Sequence, residues 1–173
     1  MTNKKENILK IALEMFGELG YNAVSTSAIA KKAGVSEGLI FRHFTNKDGL
    51  LAAILEQGNE QATKHFASIV MENDAKTVIR KAIDLPLSIT PAEQAYWRLL
   101  YSLKWQKGSY DGSKTEPLKM ALENAFRKLG YNQPTQEAEL LLLYFDGLAA
   151  YILLHDGANP AQVVHLLKQK YKV

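Results

Sequence analysis

The chain has 173 residues, a net charge of +3, 47% hydrophobic residues and no cysteine. That length buries roughly 70% of the extended-chain surface, so a core forms without staples, and the missing cysteines exclude a disulfide framework and thiolate-bound metal. The charge is too mild to identify a nucleic-acid partner by itself, and the longest apolar run, Leu140 to Leu154, is broken by Asp146 and short for a bilayer, so no membrane partner is expected.

The amino terminus, MTNKKEN, leads straight into an amphipathic helix over 4–19, with Ile8, Ile11, Ala12, Met15, Phe16 and Leu19 on one face and Gly20 as its stop. No apolar secretion segment precedes it, which makes a cytoplasmic protein the expectation. Ser25 or Thr26 caps a second, short helix whose small inner face is Ala28, Ile29, Ala30 and Ala33. Ala33-Gly34-Val35 is the turn, because Gly34 tolerates the positive φ that redirects the chain. Ser36 then caps a third helix that sends Leu39, Ile40 and Phe44 inward and offers Glu37, Gly38, Phe41, Arg42 and His43 on its other side.

A fourth helix begins near Asn46 and runs to about Met71, roughly 38 Å at 1.5 Å per residue, which is long enough to serve two domains. Gly58 inside it costs about 1 kcal/mol relative to alanine and marks a bend or a close contact. Further helices are expected over 75–85, from a Thr90-Pro91 start to Lys107, and over 116–129, 135–154 and 160–172, with the polar loop GSYDGSKT after Lys107. With no period-2 run and no repeat, the chain reads as all-α. It should have about nine helices in an amino-terminal domain, 1–50, and a helical regulatory and dimerisation domain, 51–173.

Two short helices with a glycine turn form the helix-turn-helix pattern, whose second helix lies in the DNA major groove. The run IAKKAGVSEGLIFRHFTNKDGL, preceded by Phe16, Gly20 and Tyr21, resembles the DNA-binding domain of the TetR family of transcriptional regulators over about Lys4 to Ala53. The resemblance is specific because many fixed offsets agree at once. It implies a bacterial regulator that binds a near-palindromic double-stranded operator as a homodimer and answers to a small molecule, most simply as a repressor.

Lys47 matches the family lysine that grips a phosphate together with a helix amino terminus. Thr26 and Ser27 stand at the mouth of the second helix, where they offer donors to another phosphate or simply cap it. Ser36, Glu37, Gly38, Leu39, Phe41, Arg42 and His43 complete the candidate DNA-binding set. Phe41 suits a thymine methyl or the core, Arg42 a phosphate or guanine, and His43 matches a family histidine that bonds phosphate. The chain departs from the family where tyrosine is common at Phe41 and Arg42, and where polar base-reading residues are common at Leu39. Residues 1–57 hold seven Lys/Arg against six Asp/Glu, so the case rests on placement, with Lys4, Lys5, Lys31, Lys32, Arg42 and Lys47 as the candidate basic face.

The middle helices are aromatic-rich, and an apolar pocket is the default form of a small-molecule site. Phe66, Trp97, Tyr101, Trp105, Met120 and Tyr144 are its candidates, although such stripes are commonly plain core. Leu140, Leu143, Tyr144, Gly147, Leu148, Tyr151, Val163 and Leu167 supply either an intramolecular core or, as the resemblance implies, a dimer face. No GxSxG, phosphate loop or HExxH occurs, and His43, His65, His155 and His165 are far apart, so no catalytic residue, metal or cofactor is expected.

Overall fold

In the first helix, α1 (Lys4–Leu19), Ile8, Ala12, Met15 and Phe16 recur at helical spacing and are buried, whereas Leu19, expected on the same face, is 60% exposed in the last turn. The structure is a computed structural model that describes residues 4–104, 115–155 and 157–173, apart from the side chains of 61 and 62. Among these residues it is all-α, with nine α-helices and one 3₁₀ turn. No described helix is long and apolar enough to cross a membrane.

Helix α2 (Thr26–Ala33) is capped by Ser25, whose Oγ accepts from Ala28 N–H at 3.1 Å. Ile29 and Ala30 are buried, but Ala28 faces solvent, because an eight-residue helix buries a narrower face than the sequence pattern suggested. Gly34 sits at φ 65°, and Val35 N–H donates back to the Ala30 carbonyl at 3.0 Å, which closes the helix and turns the chain. Helix α3 (Glu37–Phe44) follows; Ser36 holds the N-cap backbone conformation without a side-chain cap bond.

The corner after α3 is tight. Asn46 N–H donates to the Phe44 carbonyl at 2.7 Å across Thr45, which sits at φ 68°, ψ −49°. This is a γ-turn of the rare, strained hand, here centred on a β-branched residue. Helix α4 (Lys47–Val70) starts at once, with Gly49 N–H bonded to Asn46 Oδ1 at 2.8 Å. A Cβ on Gly49 would stand 2.0 Å from the Phe44 carbonyl oxygen, so only glycine allows this approach.

Two compact units result. The first comprises the described residues within Met1–Gln61 and Pro91–Tyr110. Its core joins Ile8, Phe16, Ile29, Ile40, Leu50 and Ile54 to Leu99 and Leu103 of α6 (Gln94–Lys104). The ring of Tyr96 lies where a Cβ on Gly58 would stand, and its hydroxyl donates to Asn59 Oδ1 at 3.1 Å, so Gly58 marks a close contact. Helix α6 starts at Gln94 and not at Pro91, since residues 91–93 form a turn in which Gln94 N–H reaches the Pro91 carbonyl at 3.4 Å. The expected end of that helix at Lys107 and most of the GSYDGSKT loop lie outside the described residues.

The second unit comprises the described residues within Ala62–Thr90 and Asp111–Val173. It holds α5 (Ala75–Asp84), a 3₁₀ turn over Leu85–Ser88 that the sequence reading missed, α7 (Glu116–Lys128), α8 (Pro134–Leu154) and α9 (Ala161–Tyr171). Asp74 caps α5, accepting from Thr77 N–H at 2.8 Å. Phe126, Ile79, Ile83, Leu122 and Leu141 form its centre. Tyr171 closes on Phe126 and Tyr131 and donates to Glu137 at 2.8 Å; burial, then that carboxylate, pushes its phenol well above the usual range.

Candidate nucleic-acid interface

The outward side of α3 is built by what its inward side must bury. Ile40 and Phe44 are enclosed, which leaves Gly38, Arg42 and His43 exposed and Phe41 44% exposed, with Glu37 and Leu39 half-buried. A 44% exposed phenylalanine is poorly explained as core, and an apolar face turned outward beside a cation suits a thymine methyl next to a phosphate. Leu39 packs against the core of the first unit, so less of it is free to meet a base than the sequence alone allowed.

Thr26 and Ser27 differ in a way the sequence did not reveal. Ser27 is exposed, whereas Thr26 is half-buried and its hydroxyl donates to Glu37 Oε1 at 2.6 Å. This bond ties the first turn of α2 to the first turn of α3, so the angle between the motif helices is fixed by a polar latch as well as by packing. Glu37 is thereby engaged within the protein, as is Thr26, while the exposed Ser36 hydroxyl makes no cap bond.

Lys47, at the first position of α4, is half-buried. Its ammonium stands 4.2 Å from the centroid of Tyr21 and 5.8 Å from that of Phe16, and those two rings meet edge to face at 5.1 Å. The Tyr21 hydroxyl donates to Asp48, and burial followed by that carboxylate pushes the Tyr21 phenol up to about 12. The neutral phenol presents an electron-rich face that holds a cation without neutralising it. Lys47 is therefore oriented by two rings at a helix amino terminus, an arrangement suited to an oxyanion. Tyr21 belonged to the quoted motif, but its role beneath Lys47 was not legible from spacing.

The other candidate sets are dispersed. Trp97, buried, and Tyr101, half-buried, belong to the first unit; Phe66, Met120 and Tyr144 belong to the second, and Trp105 lies outside the described residues. Met120 is 63% exposed, so it does not line an enclosed space. Phe66 packs edge to face on Phe145 at 6.4 Å, and Tyr144 points its hydroxyl at the Ile83 carbonyl, 3.4 Å away. Of the candidate dimer residues, Leu140, Leu143, Gly147, Tyr151 and Val163 are exposed. Leu148 is only 8% exposed and lies in the unit's own core, against which Tyr144 and Leu167 also pack, so these three contribute chiefly within the chain. Among the described residues no His, Asp or Glu cluster is placed to hold a metal ion.

Residues 8–54 match the family model described as "Bacterial regulatory proteins, tetR family". Residues 8–54 thus form a DNA-binding domain of the TetR family. Over 56 residues it is 50% identical to the uncharacterized HTH-type transcriptional regulator YvkB of Bacillus subtilis (strain 168), covering 32% of this chain and 29% of that one. Over 85 residues it is 33% identical to the HTH-type transcriptional repressor AcnR of Corynebacterium glutamicum, covering 49% and 43%. The chain thus spans less than half the length of either relative. AibR, solved with isovaleryl coenzyme A and operator DNA, shares the whole fold, with a TM-score of 0.72 at 15% identity over 95% of this chain and 96% of that one. By name, YvkB and AcnR are transcriptional regulators and not enzymes.

Proposed function

We propose that the chain is a DNA-binding transcriptional regulator, a repressor that sits on a near-palindromic operator as a homodimer and is released by a small apolar or aromatic molecule. The observation that carries this reading is the pairing of α3, with Phe41, Arg42 and His43 turned outward, with an oriented Lys47 at the start of α4. In it, Lys47, Ser27, Ser36 and His43 take phosphates and set register. Gly38, Phe41 and Arg42 meet base edges, with Thr26 and Glu37 holding α3 at its angle. AcnR, named a repressor, and AibR, solved with an acyl-coenzyme A and an operator, support the sign and the ligand-responsive mode.

A single recognition helix covers too little of a duplex for tight binding, so a second copy is part of the proposal. Leu140, Leu143, Gly147, Tyr151 and Leu154 recur along one side of α8, and Val163 and Leu166 along α9, as apolar or small residues open to solvent. A row this long suits a matching row from the same chain. Release requires a ligand that binds the DNA-incompetent state more tightly, with the half-buried aromatics Phe66 and Tyr144 of the second unit as its candidate contacts.

The test is a genome-fragment pulldown with purified full-length protein at about 150 mM salt, followed by sequencing. Enrichment of one near-palindrome, lost when Arg42 and Lys47 are both changed to alanine, is the expected outcome. Diffuse retention that the double substitution does not alter overturns the reading.

A further inference from the structure

The first unit carries a depression of about 490 Å³ beside α3, lined by Lys4 of α1, Lys31 of α2 and Arg42 of α3, with Gly34, Ser36 and Gly38 among its other residues. Three cations reach it from three helices, and no carboxylate lines it. None of the three is ion-paired among the described residues. A Cβ built on Gly34 or on Gly38 meets nothing within 4 Å, so the space above both is open, and the exposed Ser36 hydroxyl makes no cap bond. Uncompensated like charges brought together around a concavity cost stability unless an anion fills it.

We propose that this depression binds a backbone phosphate of duplex DNA, distinct from the phosphate at Lys47, and that Lys4 and Lys31 are its principal ligands, with the Ser36 hydroxyl as a donor. The inference rests on the DNA-binding reading above and extends it to α1 and to the outer face of α2. A polyanion fits better than a lone small ion because Arg42 belongs both to this depression and to the exposed side of α3. Seating a phosphate here brings α3 against the adjoining groove. Such contacts add affinity and register without adding sequence choice.

The experiment compares the full chain with its Lys4→Ala/Lys31→Ala form on the selected operator and on a scrambled duplex, across a salt series. Affinity for both duplexes should fall about tenfold at about 150 mM salt, and the slope of log affinity against log salt should flatten by about one per protomer bound. The ratio between operator and scrambled duplex should stay within about twofold. A control pair on the second unit, Lys76→Ala/Lys128→Ala, should leave affinity and slope unchanged. Wild-type protein that selects an operator, with the Lys4/Lys31 variant keeping the wild-type slope, overturns this proposal alone. Wild-type protein that selects no sequence overturns the DNA-binding reading and this proposal with it. Saturable binding of inorganic phosphate to the DNA-free protein, abolished in the variant while its DNA slope is unchanged, reassigns the depression to a small anion and also overturns the proposal.

Discussion

The two units leave opposite chemistry uncovered. Around α3 the first unit exposes Arg42, His43, Lys31 and Lys4 with one aromatic ring, whereas α8 and α9 of the second expose Leu143 at 70%, Leu154 at 78% and Leu166 at 66%. Like charges gathered around a concavity are relieved by an anion, whereas a row of leucines forfeits roughly 25 cal/mol for each Å² of apolar surface left wet. On the proposed reading, the first surface calls for a polyanion and the second for a second copy of the chain. The family match falls entirely within the first unit, as expected if duplex geometry constrains one surface and only self-complementarity constrains the other.

Substitutions can break that comparison at several strengths. The largest effect is expected from Gly49→Ala, whose Cβ meets the Phe44 carbonyl 2.0 Å away. Forcing backbone apart at this corner should destabilise the first unit by about 3 kcal/mol in urea unfolding and abolish operator binding. Next, Leu143→Glu with Leu166→Glu should weaken self-association by more than about 2 kcal/mol, read by sedimentation at micromolar concentration, with helix content unchanged. Unaltered association would remove the contrast between the surfaces.

Thr26→Val should cost about 1 kcal/mol, because it leaves a half-buried Glu37 carboxylate short of one donor. Operator affinity should fall more than stability does, since the latch sets the angle of α3. The smallest effect concerns Glu72, whose carboxyl is held down to about 2 by the Lys81 ammonium and by the N–H groups of Asp74 and Asn73. A depressed carboxylate contributes its stability above the ordinary pKa near 4.5 and loses it as pH falls toward 2. Lys81→Ala should shift acid unfolding of the second unit to slightly higher pH, seen by circular dichroism between those values.

Helix existence was legible because each helix carries a repeating apolar face and most carry a readable start or stop. The exposed candidates on α3 were legible for the same reason, as the complement of Ile40 and Phe44. What escaped depends on geometry that spacing does not encode. Leu19 fits the apolar face of α1 but lies in its last turn, beyond the core. Pro91 was a plausible first helical residue, yet the chain makes a turn first. The Thr26–Glu37 latch, the rings beneath Lys47 and the approach of Lys4 to Lys31 each join residues from different helices, so tertiary packing alone brings them together. Thr45 gave no signal at all, since its residue type argues against the backbone it adopts.

That same corner limits how such a protein can be re-engineered. With Thr45 in a γ-turn and Gly49 against the Phe44 carbonyl, the chain between α3 and α4 has no slack. One inserted residue there would open the Asn46–Phe44 turn and part Gly49 from the Phe44 carbonyl, the two contacts that set the start of α4, and with it Lys47, against the end of α3. The letters facing outward on α3 can be rewritten at will, but their count is frozen. On the proposed reading, new operators are reached by exchanging Gly38, Phe41 and Arg42 as a cassette, and not by lengthening or trimming the motif.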